Sequence, residues 1–437
     1  MVDEAPGRDD PYACAIPFAE MPQALSPPRG YVVTANSDPG GLMSDGSISN
    51  DRWYLGGIWC TVRTDSIAGE LERAIAAGAA DLEAMERIQG HTRSRLGELY
   101  SAALVQAIEA ARTLAGRAGE RAPHEARLAA LYRADAAAYD EVAERLRRWA
   151  EQGFATPAGV ETFYHQLAPG EGEDAVATTI FNAWLGRFLG RVFDDERMPW
   201  RFSSSMIKTA ALKRFLLGRG PGNPQRLASY DPETGESVFF DVLGTEAVER
   251  SEEVALLALA DALAFLRSAP LAPGQGGFGT PESSAWLWGL RHQARFRSLL
   301  GEFLGDDPAF AALVEQFSIT TATLPLAEAL PAQDPRRQLS HFPRPGDQWA
   351  VDAANPGFSG TDFTYSTGPV MRMVVELGPE GMSGRNIVPG GQVADPASPH
   401  FADQARLWLA NRTLPMRFTP VEVAEGATRR ELFRPER

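Results

Sequence analysis

An α+β fold is predicted by the order in which two kinds of sequence pattern follow one another. Strand-like segments stand near both ends of the 437 residues, at 30–34 and 364–378, and a long helical region separates them. The helical region repeats apolar residues at intervals of three and four, whereas 364–378 alternates apolar and polar residues. We therefore expect one α+β domain whose sheet is assembled from distant segments and which carries a helical subdomain.

The first expected element is a strand that runs into a dense turn. Residues 1–29 are rich in proline and predict an irregular arm, and the segment GYVVTANSDPGG follows at 30–41. Asn and Asp favour turns because their side chains bond nearby backbone groups and tolerate left-handed dihedral angles. Asn36 is thus either a turn former or a residue whose amide faces a site, and the residues alone favour the turn. The strand and its turn region extend to residue 60.

Residues 61–304 are predicted to be mainly helical. The segment DSIAGELERAIAAGAADLEAMERI (65–88) opens with Asp and Ser as candidate caps and places apolar residues along one side. Further helices are expected at 94–115, 125–151, 175–195, 250–268 and 284–304. The aromatic residues spaced along 175–195 are interpreted as core. Residues 305–437 form a strand-rich C-terminal part in which Gly and Pro are frequent.

Composition excludes several classes of protein. Hydrophobic residues make up 44% and charged residues 23%, which is typical of a globular protein with ample material for a core. The 42 basic and 57 acidic residues give a net charge of −15, which argues against a nucleic-acid partner because phosphate binding needs a basic patch. Neither a long apolar run nor a signal-peptide pattern is readable, so no membrane partner is expected and the chain by itself indicates a cytoplasmic protein.

Candidate sites recognised from residue types alone are weak. The segment GQGGFGT (274–280) lacks the preceding strand and following helix of a phosphate-binding loop, and we interpret it as a flexible loop. His400 and Asp403 are three residues apart, which suits a metal ion or an acid–base pair, although a structural histidine is favoured. His292 stands among Trp and Phe residues on a predicted helix, where packing explains it.

Cysteine and serine residues add little. Cys14 and Cys60 are too few for a zinc site, and both a disulfide and two unpaired thiols stay open. No G-x-S-x-G motif is present. The loop DGSISNDRW (45–53) contains Gly46-Ser47, a junction at which some self-cleaving enzymes release a catalytic serine, but such a pair is expected by chance in a polar loop.

Five blocks, taken together and in order, carry a resemblance that covers roughly residues 17–420. They are PPRGYVVTANSDPGG, VRTDSI, PESSAWLWGLRHQARF, GPVMRMVVELG and PGGQVADPASPHFADQARLW. The second is similar to an Arg-x-x-x-Ile helix start, the third to a Trp-x-Trp-Gly-x-x-His block and the last to a Ser-Pro-His-Tyr-x-Asp-Gln block. In this order they resemble the penicillin acylase family of N-terminal-nucleophile amidohydrolases, in the later part of its β-chain.

The resemblance implies a single incomplete domain over 1–437, forming part of the family's αββα sandwich with a helical subdomain. In the family, autocatalytic cleavage exposes a serine whose own amine acts as the base through a water molecule. The corresponding Ser-Asn-x-Trp start is absent upstream of Asn36, and Ser49-Asn50 falls downstream of it. We therefore expect a separate upstream chain to bear the nucleophile, and the chain alone to hydrolyse no amide.

Three departures from the family pattern keep a second interpretation open. Ser37 stands where a second Asn is common, Val370 replaces the Ser of Gly-Pro-Ser, and Val393-Ala394 replaces Ser-Gly in the last block. A chain that has lost family residues fits a truncated or split-gene remnant that serves as a scaffold or binding protein. This non-catalytic function is the alternative to the hydrolase.

By resemblance, Asn36 and Arg63 are the catalytic residues of this segment. Asn36 would donate a side-chain N–H to the oxyanion of the tetrahedral intermediate, and Arg63 would orient it. A surface Arg before a helix is the alternative for Arg63. Some family members hold a structural calcium, and Asp51 lies near the expected position of one ligand. No other cofactor is expected, and the chain alone should bind calcium negligibly because the remaining oxygen ligands would come from outside it.

The function implied by the resemblance is hydrolysis of an N-acyl amide. The small-molecule substrate would be a β-lactam, an acyl-homoserine lactone or a similar acylated amine, as in antibiotic metabolism. This chain would supply the oxyanion side of the site, and the upstream chain the nucleophile and much of the acyl pocket. Assembly with an exported partner would change the expected location to periplasmic or secreted.

Overall fold

A computed structural model describes residues 15–38, 60–194, 205–217 and 230–434, apart from positions 232, 306, 353, 426 and 430. The helices in this part are α1 Val62–Ala76, α2 Leu82–Gln89, α3 Arg95–Gly116, α4 Pro123–Ala134, α5 Ala136–Glu151, α6 Glu171–Phe193, α7 Ser205–Leu217, α8 Ser251–Arg267, α9 Leu300–Leu304, α10 Ala311–Gln316, α11 Asp403–Leu409 and α12 Pro420–Ala424. The strands are β1 Pro270–Ala272, β2 Gln275–Gly276, β3 Gln293–Ala294, β4 Phe342–Pro343, β5 Arg372–Gly378, β6 Gly381–Ile387 and β7 Leu414–Pro415. The predicted α+β class is confirmed.

Helix α6 is the centre of the larger hydrophobic core. It packs against α5 and α8, while α3 contacts α4, α5 and α8 around it. A helix that is apolar on all sides is stable only when it is buried on all sides. Trp184 and Phe188 on α6 are almost completely buried and stack with their ring centroids 5.0 Å apart. The interpretation of the 175–195 aromatic residues as core is therefore confirmed.

The C-terminal part contains a three-stranded antiparallel sheet in the order β5-β6-β7. The β5–β6 register runs from the Arg372–Ile387 pair to the Gly378–Gly381 pair. Arg372 and Val374 point into the protein, whereas Met373, Val375 and Leu377 are exposed. The strand predicted within 364–378 is thus observed over 372–378, its alternation of buried and exposed residues holds over 372–375, and residues 365 and 367 form only isolated bridges.

A buried group of charges connects this sheet to the segment before it. The carboxylate of Asp352 is fully buried and accepts from two guanidinium groups, at 2.7 Å from Arg344 Nη2 and 2.5 Å from Arg372 Nη2. Both guanidinium groups also lie over the ring of Trp408, 5.0 and 4.3 Å from its centroid. The side chain of Asn411 accepts a further bond from Arg344 at 2.9 Å. Because buried charges are costly unless paired and hydrogen-bonded, Asp352 is essential to this arrangement.

Two predicted helices are each broken in the structure. The segment 65–88 forms α1 and α2, because Gly78 adopts a left-handed φ of 65° and Asp81 then caps α2 by accepting from the backbone N–H of Ala84 at 2.8 Å. The segment 125–151 forms α4 and α5, which are separated by Asp135 with φ −153° and ψ 52°. The carboxylate of Asp135 accepts from Arg267 on α8 at 2.7 Å, a tertiary contact that periodicity does not reveal. The helix predicted at 94–115 is confirmed as α3.

The helix predicted at 284–304 is wrong over most of its length. Only 300–304 is α-helical, and the block before it contains two 3-10 turns and the short strand β3. Residues 288–294 are buried without interruption, and Gln293 and Ala294 pair with Pro343 and Phe342 of β4, so a tertiary pairing replaces the helix here. His292 is therefore not on a helix, but its expected packing is observed, since it is fully buried and its ring stacks on Trp288 with centroids 4.7 Å apart.

The glycine-rich segment 274–280 is fixed in place by strand pairing and hydrogen bonds. It includes β2, and the guanidinium of Arg291 donates to the carbonyl oxygens of Gly276 and Gly277 at 3.0 and 2.7 Å. The interpretation of this segment as a flexible loop is corrected accordingly. The strand predicted at 30–34 is also absent, because these residues pair with none of the described strands.

His292 gives the unfolding free energy a predicted dependence on pH. Burial lowers its pKa to about 4 from an ordinary value of 6.5, although its Nδ1–H donates to the carbonyl of Phe363 at 2.7 Å. Between these two pH values the unfolded chain binds a proton that the folded chain does not, so stability is full above pH 6.5 and falls as the pH drops towards 4. The expected loss is about 1.4 kcal/mol for each pH unit.

The substitution His292→Asn tests this dependence, because its amide keeps a donor for the Phe363 carbonyl and removes the titration. Urea unfolding at a series of pH values should give a flatter profile for this variant than for the wild type. Equal slopes for His292→Asn and the wild type would contradict the prediction.

Candidate active site

Asn36 lies in a left-handed turn at the end of the first described segment. Its φ is 52°, a conformation that Asn tolerates better than most residues, and its side chain is exposed. The hydroxyl of Thr64 on α1 contacts the carbonyl oxygen of Ala35 at 3.5 Å and places the turn beside the start of that helix. The turn expected from the sequence is therefore observed, and it faces α1.

Arg63 in the first turn of α1 contacts the Asn36 side chain. Its Nη1 donates to Asn36 Oδ1 at 3.2 Å. A guanidinium group has only donors, so the amide oxygen of Asn36 must face Arg63 and the amide N–H₂ must face away from it. No described residue accepts a hydrogen bond from that N–H₂ group. The sequence-predicted pair therefore lies together, with two N–H donors directed outward.

Arg63 is half-buried, and the described groups that it contacts are uncharged. Its Nη2 lies 3.5 Å from Asn355 Oδ1, and its guanidinium carbon lies 5.6 Å from the ring centroid of Trp349. No carboxylate of the described residues is within salt-bridge distance of it. Burial lowers the pKa of Arg63, and among the described residues the nearby thiol of Cys60 opposes this shift. Arg stays protonated in proteins, so the site holds a cation whose described contacts are uncharged.

Asn355 and Trp349 were not found from the sequence. Asn355 stands 292 positions after Arg63, and the only local signal, Asn355-Pro356-Gly357, predicts a turn and no contact. Its side-chain oxygen also accepts from the backbone N–H of Trp349 at 3.0 Å. Only the tertiary structure brings these residues to Arg63.

The other candidate residues do not join this site. Nδ1 of His400 lies 2.9 Å from a carboxylate oxygen of Asp403 on the exposed surface. Among the described residues, no group of three or more His, Cys, Asp or Glu side chains could hold a metal ion. Cys60 is buried, and burial raises the pKa of its thiol. The residues Cys14, Gly46, Ser47, Ser49, Asn50 and Asp51 lie outside the described residues.

Comparison with known proteins gives three similarities. A family model named Penicillin amidase matches residues 3–425. A stretch of 80 residues is 39% identical to the acyl-homoserine lactone acylase QuiP of Pseudomonas aeruginosa, which is 18% of this chain and 9% of that protein. The solved thermostable penicillin G acylase of Alcaligenes faecalis aligns with 97% of this chain at 15% identity and a TM-score of 0.42.

Two further findings concern the length of the match and the search for membrane-spanning helices. The chain spans 60% of the length of the solved penicillin G acylase. Among the described residues, no helix has the length and apolar character needed to cross a bilayer.

Proposed function

The chain belongs to the penicillin amidase family, and from this membership we propose that it takes part in hydrolysing the amide bond of an N-acylated small molecule. In this proposal Asn36 donates to the oxyanion of the tetrahedral intermediate and Arg63 orients Asn36. The nucleophilic serine and much of the acyl pocket come from a segment outside these 437 residues. β-Lactams and acyl-homoserine lactones are the substrate classes proposed, because the family is named after penicillin and one similar protein is an acyl-homoserine lactone acylase.

The observation that carries the proposal is the contact between Arg63 Nη1 and Asn36 Oδ1. An oxyanion site needs donors that are fixed before charge develops, because reorganising them during the reaction would cost free energy. Here the guanidinium fixes which end of the amide faces outward. A neutral amide can donate without first losing or gaining a proton, so the donor is present across the physiological pH range.

The proposal predicts that the 437-residue chain hydrolyses no N-acyl amide by itself and becomes active when co-expressed with the product of the reading frame upstream. Activity is measured as release of the free amine from a β-lactam and from an acyl-homoserine lactone. Robust turnover by the chain alone would contradict the requirement for a separate nucleophile. An inactive assembled complex would instead favour the scaffold or binding protein that the replacements Val370 and Val393-Ala394 suggest.

A further inference from the structure

We propose that Asn355 is a positioning residue of the candidate active site, which holds Arg63 so that the amide of Asn36 keeps its N–H₂ group outward. The inference rests on the proposed function for its catalytic consequence. Its structural part concerns only contacts between described residues and can be tested without any activity.

The guanidinium of Arg63 lies between two amide oxygens. Nη1 reaches Asn36 Oδ1 at 3.2 Å, and Nη2 reaches Asn355 Oδ1 at 3.5 Å. A planar group with donors on two of its nitrogen atoms is restricted in rotation when each donor has its own acceptor. If the acceptor at 355 is removed, the guanidinium keeps one polar contact and is free to turn away from Asn36.

Asn355 is itself fixed by hydrogen bonds of its backbone and of its side chain. Its backbone N–H donates to the carbonyl of Thr367 at 3.0 Å, and its own carbonyl accepts from the hydroxyl of Ser366 at 2.6 Å. Its side-chain oxygen accepts from the backbone N–H of Trp349 at 3.0 Å, so the orientation of the amide is defined. An acceptor that is fixed in this way restricts the position of the Arg63 guanidinium.

Backbone strain is concentrated around the same guanidinium. Six non-glycine residues of the described part have positive φ. Asn36 at 52° and Trp349 at 68° contact Arg63, and Thr61 at 57° stands two residues before it in the chain. Positive φ is costly for a β-branched or bulky residue such as Thr or Trp. Strained residues of this kind cluster at sites where function requires a fixed geometry. The strain at Trp349 is accompanied by its N–H bond to Asn355 and by the position of its ring near Arg63.

The chemistry at position 355 also preserves the charge of the site. Asn supplies an acceptor oxygen without a negative charge, so the guanidinium keeps its full positive charge near the outward amide of Asn36. A carboxylate at 355 would hold Arg63 in the same place and cancel that charge. Position and charge can therefore be separated by two substitutions, Asn355→Ala and Asn355→Asp.

The structural test is NMR of the 437-residue chain labelled with ¹⁵N at its Asn side chains. Asn36→Asp removes the side-chain signals of Asn36 and so assigns them. Asn355→Ala should displace these signals in the same direction as Arg63→Ala does, and Asn355→Asp should leave them near their wild-type position. Asn411→Ala is the matched control, since Asn411 accepts from a different guanidinium, that of Arg344. Unmoved Asn36 signals in Asn355→Ala would overturn the proposal.

The kinetic test uses the assembled enzyme. Asn355→Ala should lower kcat about tenfold with little change in KM, and it should cause no further loss in an Arg63→Ala background. Asn355→Asp should keep the wild-type Asn36 signals and still lower kcat, because the charge is cancelled. Fully additive losses in the double variant would overturn the proposal. If the assembled complex hydrolyses no N-acyl amide, the proposed function fails while the NMR result still decides whether Asn355 positions Arg63.

Discussion

In the assembled enzyme, Asn36→Ala is expected to lower kcat by roughly 100–1,000-fold, which corresponds to about 2.7–4 kcal/mol of transition-state stabilisation. The KM should change little, because the donor acts mainly on charge that appears only in the transition state. Steady-state amide hydrolysis measures both quantities. Since Ala is strained at the φ of 52° found here, Asn36→Gly is the companion variant that removes the amide without adding strain.

The substitution Asn36→Asp separates the catalytic role from the turn role. Asp suits the same left-handed turn, so a residue that only shapes the turn tolerates it. In the proposed site one Asp oxygen would face Arg63, and the other would face the developing negative charge where two N–H donors stood. This variant should therefore be at least as damaging as Asn36→Ala while the protein stays folded.

The chain offers a matched control for these variants. Asn411 has the same φ of 52°, and its side-chain oxygen likewise accepts from a guanidinium group, at 2.9 Å from Nη2 of Arg344. Asn411→Asp should leave kcat close to wild type, because this residue lies outside the candidate active site. A near-normal kcat in Asn36→Asp would show that Asn36 is only a turn former.

Asp352→Ala is expected to lower the free energy of unfolding by about 3–5 kcal/mol, the usual cost of removing one partner from a buried ion pair. The carboxylate is fully buried and is bonded to two guanidinium groups that are themselves buried. Without it, Arg344 and Arg372 would remain as two positive charges in a region that water does not reach. Urea unfolding of the 437-residue chain at neutral pH measures this difference.

The control for Asp352 is the surface pair formed by Glu83 and Arg87. Their charged atoms lie 3.9 Å apart, and the two side chains keep 83% and 67% of their surface exposed. Because exposed pairs contribute little, Glu83→Ala should cost about 1 kcal/mol or less. Equal losses for the two variants would contradict the account of Asp352 as a buried counter-charge.

The amino-acid sequence was most informative where a pattern depends on near neighbours. The apolar periodicity of 94–115 and 250–268 predicted α3 and α8, and the aromatic residues of 175–195 predicted the buried helix α6. The turn residues at 35–39 likewise predicted the turn at Asn36. Helix periodicity and turn chemistry act within four or five positions, so the sequence alone contains the information that specifies them.

Prediction from sequence failed where distant residues decide the local structure. The block around Trp288 has aromatic residues that were interpreted as helical, but Gln293 and Ala294 pair with β4 and His292 bonds the carbonyl of Phe363. Asp135 interrupts a helical pattern while it pairs with Arg267 on α8. In both places tertiary contacts accompany the departure from the local preference, which periodicity cannot register.

The candidate site shows the same division. The sequence determined that Asn36 lies in a turn and that Arg63 lies near the start of a helix, and the family resemblance related the two. Only the tertiary structure placed Asn355 and Trp349 beside Arg63 and set the direction in which the Asn36 amide points. The physical reason is that an amide can turn either end towards a neighbour with equal ease. Which end faces outward is decided by the guanidinium that packs against it, and no local pattern in the chain encodes that contact.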